Sequence, residues 1–315
     1  MRPTRILSIC CHVWEHDLKG AKRIEQNRRM MLELLDQAAS YRPDFVVFPE
    51  LALHGGVGNF KEMVALAEPV PGPTFQAVAE KARRLRIHVL LPMYERKDDK
   101  VYNSAVLIGR DGEAVGTYRK YHATGYEIED GVQPGDEIPV WDTDCGRVGC
   151  MICFDLEYYD VPIALARQDA RLVFWPTMYD GGVLLSAWAA AFGFYMVRSY
   201  TAGGCVVDMT GRVLAGPGPY MYPNVAGAKT QLLLTFGEVN LDRKSYHPDF
   251  NREKMYAAVA KYAGGVDLTR ADEGRLILAC NMPDKTVEDL EKEFALTPLQ
   301  DYLDQASHIR QSRLK

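Results

Sequence analysis

The sequence lacks a hydrophobic run long enough to cross a membrane. Its most apolar later stretch, residues 187–197, is well short of the roughly 20 residues that a bilayer-spanning helix needs, and it predicts a buried helix instead. The first residues lead directly into an apolar strand that is too short for the core of a secretory signal. We therefore expect a cytoplasmic protein without a membrane segment.

The chain also lacks an excess of positive charge. Its formal net charge is −5, so electrostatics give no reason to expect nucleic acid or an anionic membrane as a partner. The 315 residues, 47% of them hydrophobic, are enough for one large domain or two small ones with a substantial core.

The cysteines show no disulfide or metal framework. There are seven, an odd number, and they are scattered along the chain, which favours reduced thiols. Cys150 and Cys153 form a Cys-x-x-Cys, but no second cysteine pair completes a zinc site. The intervening Met151 and Ile152 are typical of a strand, and strand residues three apart lie on opposite faces of the sheet. We therefore predict no metal and no cofactor, and a redox pair is disfavoured.

Apolar periodicity predicts strands that alternate with helices. The predicted strands cover residues 5–11, 44–48, 87–93, 103–109, 114–119, 138–142, 147–152, 172–175, 204–208, 212–214 and 231–241. The predicted helices cover residues 74–86, 159–169 and 183–199. A further helix precedes the second strand; its apolar face contains Ile24, Met31 and Leu35, whereas Arg23 is placed on the polar side. This alternation indicates an α/β fold in which sheets are layered with helices.

From about residue 246 the sequence becomes polar and helix-forming. Helices are predicted over residues 252–262, 287–294 and 296–306. We predict a main domain over residues 1–245 and a C-terminal helical extension over residues 246–315, which packs on the body or on a partner subunit.

Three stretches of the main domain each end in one reactive side chain. An apolar run precedes Glu50, a strand pattern precedes Lys120, and a buried-strand pattern precedes Cys153. A carboxylate, an ammonium and a thiol are the groups needed for covalent attack on a carbonyl or nitrile carbon. Cys153 is followed by a turn into a helix, where N–H groups would favour its thiolate form.

These three motifs, in this order, resemble the nitrilase (carbon–nitrogen hydrolase) superfamily over roughly residues 4–243. The resemblance implies a four-layer αββα sandwich with Glu50 as base, Lys120 as oxyanion stabiliser and Cys153 as nucleophile. It also implies a second glutamate before the turn at residues 134–136, for which the spacing favours Glu127 and leaves Glu129 as the alternative.

The residues after Cys153 bear on the substrate. Phe154-Asp155 resembles the amide-hydrolysing branch, whereas nitrile hydrolysers tend to have Trp-Glu there. We therefore expect a small-molecule amide or N-carbamoyl substrate, contacted by Phe154 and Tyr179. The alternatives are a nitrile hydrolase of the same superfamily, or a catalytically silent or redox-sensing binding protein on the same fold.

The apolar helix predicted after residue 183 also bears on assembly. Its apolar residues, Leu184, Leu185, Trp188, Phe192, Tyr195 and Met196, cover more than one core-facing stripe. The superfamily commonly dimerises through helices in this region, so we expect a homodimer or a higher even-numbered oligomer.

Overall fold

The computed structural model describes residues 3–12, 18–201, 203–216, 231–272 and 274–314. The strands within these ranges are β1 Thr4–His12, β2 Phe45–Val47, β3 His88–Lys97, β4 Lys100–Ile108, β5 Ala114–Arg119, β6 Val140–Thr143, β7 Gly146–Cys150, β8 Leu172–Thr177, β9 Tyr195–Tyr200, β10 Cys205–Val207, β11 Val213–Ala215, β12 Gln231–Val239, β13 Arg243–Tyr246, β14 Val266–Arg270 and β15 Leu276–Cys280. The α-helices are α1 Gly20–Ala38, α2 Phe60–Ala65, α3 Pro73–Leu85, α4 Gly125–Glu129, α5 Asp160–Arg167, α6 Gly182–Phe192, α7 Arg252–Lys261, α8 Val287–Phe294 and α9 Leu299–Arg313.

Two six-stranded sheets form the centre of the molecule. Their orders are β12-β1-β2-β3-β4-β5 and β11-β10-β9-β8-β7-β6. Alternate residues of each strand face the other sheet or a helical layer: Phe45 packs between the sheets, whereas the adjacent Val46 packs towards α1 and α3. Likewise Leu172 faces the first sheet and Val173 packs with α5 and α6. The layers are therefore helix, sheet, sheet and helix, and the predicted αββα sandwich is confirmed.

Strand direction brings three chain segments to one edge of this sandwich. β2 runs parallel to β3, β4 is antiparallel to β3, and β5 is antiparallel to β4. β2 and β5 therefore run in the same direction, and both end at the same edge of the first sheet. In the second sheet, β7 runs parallel to β8 and ends shortly before Cys153.

The helix predicted over residues 183–199 is wrong in its second half. α6 ends at Phe192, and Gly193 follows with φ of +71°, a left-handed conformation that glycine adopts without strain. β9 then begins, so Tyr195 and Met196 lie on a strand rather than on the apolar helix. Tyr195 faces the inter-sheet core and Met196 faces the helical layer. A strand buried on both faces reads as a continuous apolar run, which periodicity alone does not distinguish from a buried helix.

The prediction for residues 246–315 is also wrong in part, because this region is not purely helical. β13, β14 and β15 form a three-stranded sheet in the order β13-β15-β14, and α7 and α8 contribute to its small core with Met255, Val287 and Leu290. β13 begins at Arg243, before the predicted boundary. The division into a main domain and an extension stays a prediction.

Arg23 corrects the prediction for α1. Its side chain is fully buried, and its Nε donates to the carbonyl oxygen of Gly55 at 3.3 Å. Asn27, one turn later, donates to the carbonyl oxygens of Leu53 at 2.8 Å and Gly55 at 2.9 Å. α1 thus fixes the loop that follows Glu50 through polar contacts as well as through its apolar face.

Among the residues described, no helix has the length and apolar character required to cross a membrane.

Candidate active site

Glu50 follows β2 and is nearly inaccessible to solvent. The residue is 4% exposed, so a charge on its side chain requires a partner within the protein. Oε1 accepts hydrogen bonds from Lys120 Nζ at 3.0 Å and from Asn103 Nδ2 at 2.9 Å. Oε2 is buried and has no hydrogen-bond partner among the residues described.

Lys120 follows β5 and is 2% exposed. Its backbone N–H donates to the carbonyl oxygen of Asn103 at 2.8 Å, which continues the pairing of β4 and β5 by one residue. The preceding Arg119 points to the other face and forms an ion pair with Glu95 at 2.6 Å. Burial opposes the charge on Lys120, but Glu50 and Glu127 outweigh it and hold the pKa of the ammonium well above its ordinary value.

Glu127, rather than Glu129, meets the lysine. Oε2 of Glu127 accepts from Lys120 Nζ at 2.8 Å and from the backbone N–H of Thr124 at 2.9 Å, in a capping box at the start of α4. Burial raises the pKa of Glu127, but Lys120 and these hydrogen bonds outweigh it, so the pKa lies below its ordinary value. Glu129 is exposed on the opposite side of this single turn.

Asn103 is a member of the cluster that the sequence analysis missed. It is fully buried, and its side-chain amide donates to Glu50 Oε1 at 2.9 Å and to Glu127 Oε1 at 2.7 Å. The available signal was an asparagine within the apolar strand β4, because a buried amide requires hydrogen-bond partners.

Cys153 lies at a sharp turn directly after the second sheet. Its φ is +47°, a strained conformation for a residue with a side chain, and the indole Nε1 of Trp175 donates to its carbonyl oxygen at 3.0 Å. The side chain is half-buried beside the inter-sheet core. Burial, followed by the nearby Glu50 carboxylate, raises the pKa of the thiol well above its ordinary value. Burial therefore acts against the thiolate that the turn is expected to favour.

Asp155 joins the cysteine turn to the lysine segment. It is fully buried and accepts hydrogen bonds from the backbone N–H groups of Ile152 and His122, both at 2.8 Å, and from the Tyr118 hydroxyl at 2.7 Å. Burial raises the pKa of this carboxyl even though these donors act against it. A residue that marked the amide-hydrolysing branch in the sequence thus also ties the two sheets together at the site.

Phe154 and Tyr179, the predicted substrate contacts, lie around the cysteine turn. Phe154 is half-buried, with its ring edge-on to Tyr158. Tyr179 packs edge-on against Trp175, and its hydroxyl donates to the exposed Glu157 at 2.9 Å.

Cys150 lies in the core between the sheets and is not accessible to solvent. It is fully buried between the sheets, and burial raises the pKa of its thiol well above the ordinary value. It forms no disulfide with Cys153. Within the described residues, no cluster of three or more His, Cys, Asp or Glu side chains is arranged to hold a metal. This geometry weakens the redox-pair alternative.

The chain is similar in sequence to known hydrolases. A sequence model described as carbon-nitrogen hydrolase matches residues 18–223. An (R)-stereoselective amidase of Pseudomonas sp. is 36% identical over 130 residues, which cover 41% of this chain and 46% of that protein. A bifunctional nitrilase/nitrile hydratase of Nicotiana tabacum is 29% identical over 192 residues, 55% of this chain and 53% of that protein. The chain thus spans about half the length of these curated relatives.

A solved structure shares the fold. A variant of the amidase from Nesterenkonia sp. AN1, with the acetamide moiety of fluoroacetamide added covalently at its active-site cysteine, superposes with a TM-score of 0.62. It is 18% identical and covers 76% of this chain and 91% of that chain.

Proposed function

Because this chain belongs to the carbon-nitrogen hydrolase family, we propose that it hydrolyses a non-peptide C–N bond of a small-molecule amide or N-carbamoyl compound through a thioester on Cys153. The observation that carries the proposal is the buried cluster of Glu50, Lys120 and Glu127 beside the strained cysteine turn. Three ionisable side chains in a buried site are costly unless they are paired or functional. Here one carboxylate oxygen of Glu50 accepts from no nitrogen or hydroxyl group of the described residues and lies near the Cys153 thiol.

Acylation begins with the neutral thiol. Glu50 takes the proton as the Cys153 sulfur bonds to the substrate carbonyl carbon, and the carbonyl electron pair moves to the oxygen. When the oxyanion collapses, the C–N bond breaks and the amine leaves with the proton held by Glu50. The product at this stage is a thioester.

Deacylation uses the same base. Glu50 takes a proton from water while the water oxygen bonds to the thioester carbon. The C–S bond then breaks, the acid is released, and Glu50 returns the proton to the sulfur. Neither half-reaction requires a metal or an organic cofactor.

Lys120 has a donor left for the oxyanion. An ammonium carries three N–H groups, and two of them point to Glu50 and Glu127. The third stabilises the negative oxygen together with the backbone N–H of Phe154, which lies in the first turn of a 3-10 helix, where N–H groups lack intrahelical acceptors.

The amide branch is favoured over nitriles by Phe154-Asp155 and by the likeness to the Pseudomonas amidase. The nitrile alternative is supported by the Nicotiana relative. A panel of small primary amides, N-carbamoyl amines and nitriles separates the two, with ammonia release as the assay and intact mass spectrometry for the acyl adduct. We expect turnover of an amide or carbamoyl compound and an adduct on Cys153. Faster turnover of nitriles would favour the nitrile alternative. The absence of both turnover and an adduct would contradict the proposal that the protein is an enzyme.

The proposal includes assembly and location. Val183 of α6 is 60% exposed and Tyr159, beside α5, is 66% exposed, which provides an apolar surface for a second copy in a homodimer or a higher even-numbered oligomer. A mass near that of one 35.4 kDa chain by light scattering at micromolar concentration would contradict this. All seven cysteines are free thiols, which fits the reducing cytoplasm.

A further inference from the structure

Asn103 contacts every charged member of the cluster on the first sheet. Its side chain meets Glu50 and Glu127, and its backbone carbonyl accepts from the N–H of Lys120. It lies within β4, between β3 and β5, and is fully buried. A strand places a side chain more rigidly than a loop does.

The chemistry of the partners determines how the amide is oriented. Ionised carboxylate oxygens only accept hydrogen bonds, so the side-chain atom that faces both of them is the NH₂ nitrogen. The two N–H groups of Asn103 are then both used, one on each glutamate.

The two oxygens of Glu50 are consequently not equivalent. Oε1 accepts from both Asn103 and Lys120, whereas Oε2 is buried and has no hydrogen-bond partner among the residues described. An oxygen that already accepts two charge-assisted or amide hydrogen bonds is a weaker proton acceptor than one that accepts none.

We propose that Asn103 is a positioning residue that anchors Glu50 through Oε1 and thereby presents Oε2 to the Cys153 thiol as the proton acceptor. This inference rests on the proposed function, because it assigns the base of that reaction to one atom. Asn103 provides a contact that Lys120 alone does not. The ammonium of Lys120, on a flexible side chain, fixes its distance to the Glu50 carboxylate but not the orientation of the carboxylate plane.

Several other titratable groups surround the cluster. Tyr94, which pairs with Asn103 across β3 and β4, has its pKa raised by burial and by both glutamates. His54, in the loop after β2, has its pKa lowered to about 4 by burial and is neutral at neutral pH. Cys153 faces the cluster from the second sheet with a raised pKa. Within the cluster itself, the pKa of Lys120 is raised and that of Glu127 is lowered, so both shifts favour the charged forms.

The experiment measures alkylation of Cys153 by iodoacetamide, followed by intact mass spectrometry and peptide mapping between pH 5 and 9. Alkylation requires proton removal from the thiol, so its rate reports on the base without knowledge of the substrate. The test variant is Asn103→Leu, which keeps the number and branching of the side-chain heavy atoms and removes both donors. The control is Ser104→Ala in the same strand, because Ser104 is buried on the other face, where its hydroxyl donates to Glu95.

We expect Asn103→Leu to be alkylated about 10- to 100-fold more slowly at pH 7, the cost of a misplaced catalytic group. The acid limb of its profile should move to higher pH, because a carboxylate that loses a donor binds its proton more tightly. The control should keep the wild-type profile. The inference would be overturned if the pH profile of Asn103→Leu coincided with that of the wild type. It would also be overturned if Asn103→Leu and Ser104→Ala lost alkylation rate equally and the acid limb of Asn103→Leu did not move.

A second variant keeps the test decisive if Asn103→Leu does not fold. Asn103→Asp has nearly the same shape, but it donates one hydrogen bond when protonated and none when ionised. Its alkylation rate should therefore fall below the wild-type rate by a factor that grows as pH rises, and a constant ratio across the range would overturn the inference. Failure of the proposed function is distinguishable, because in that case wild-type Cys153 would itself be inert.

Discussion

The two sheets contribute to the site by different physical means. The first sheet, with the short helix α4 that follows β5, supplies the buried Lys120 and the two carboxylates that pair with it, Glu50 and Glu127. The second sheet supplies Cys153, whose thiol has a raised pKa and lies on a strained turn beside the inter-sheet core. The first half thus depends on hydrogen bonds and charge balance, and the second on backbone conformation. Substitutions in the first half should change how activity depends on pH, whereas substitutions in the second should remove or displace the attacking thiol.

The sharpest test of the second half is Cys153→Ala. We expect turnover to be abolished, because the covalent route has no nucleophile, while thermal stability changes little. Cys150→Ser is the matched control: Cys150 is the last residue of β7, three residues before Cys153, but it is buried between the sheets, so the substitution should lower stability and leave activity largely intact. Equal loss of activity in both variants would instead support a redox or metal pair.

The sharpest test of the first half removes one charge at a time. Glu50→Gln and Lys120→Met should each lower kcat by about a thousandfold, since a general base contributes roughly 10²–10⁴-fold and one oxyanion donor roughly 10²–10³-fold. Arg119→Met is the control, because Arg119 is adjacent in sequence but forms its ion pair with Glu95 on the other face. Rates within a few-fold of wild type at Glu50 or Lys120 would exclude that residue from the mechanism.

Low pH should reduce the free energy of unfolding because His54, which is buried in the loop after β2, must then bind a proton. Burial lowers the pKa of this histidine from 6.5 to about 4, so in the window between these values the unfolded chain binds a proton that the folded chain does not. Stability from this group is complete above pH 6.5 and is lost as pH falls through the window, by about 1.4 kcal/mol for each pH unit. Chemical denaturation at pH 7, 5.5 and 4.5 measures it. His54→Gln should flatten the slope, and an unchanged slope would remove His54 as its cause.

The connection between the halves depends on Asp155. Asp155→Asn replaces an acceptor of three hydrogen bonds with a group that has one acceptor oxygen and an NH₂ that faces donors. We expect a loss of about 2 kcal/mol in unfolding free energy, typical of a buried polar group left unsatisfied, with a lower kcat because the Cys153 turn and the Lys120 segment separate. Asp160→Asn, whose exposed carboxylate meets the His122 ring, should leave both quantities nearly unchanged.

The sequence predicted the parts of the site that follow strands. Glu50 and Cys153 each follow an apolar run, which marks a buried strand whatever the fold, and Lys120 follows a strand pattern. The contacts between them were not predictable in the same way, because Asn103 and Asp155 act across sequence separations of 24 to 53 and of 33 to 37 residues. A polar residue inside an apolar strand indicates that a partner exists, but it does not identify the partner.

The fold shows the same limit. Alternating strands and helices indicated the layers, and the family resemblance supplied their order. The apolar run across Gly193 was assigned to one helix, because a strand buried on both faces has no period of its own. β15, also a continuous apolar run, was missed within a region judged by its polar helices.

The smallest expected effect comes from a pair of matched helix caps. Thr124 and Thr286 both begin capping boxes, at α4 and α8, but only the first holds a site residue, Glu127. Thr124→Ala removes the hydroxyl that donates to Glu127 Oε2 at 3.1 Å, while the backbone N–H of Thr124 still binds that oxygen. We therefore expect kcat to fall by only about fivefold, the factor that roughly 1 kcal/mol of hydrogen bonding represents. Thr286→Ala should lower the free energy of unfolding by about 1 kcal/mol and leave kcat unchanged. If both variants lost activity equally, the effect would be one of general stability, and the difference between the two caps would carry no catalytic meaning.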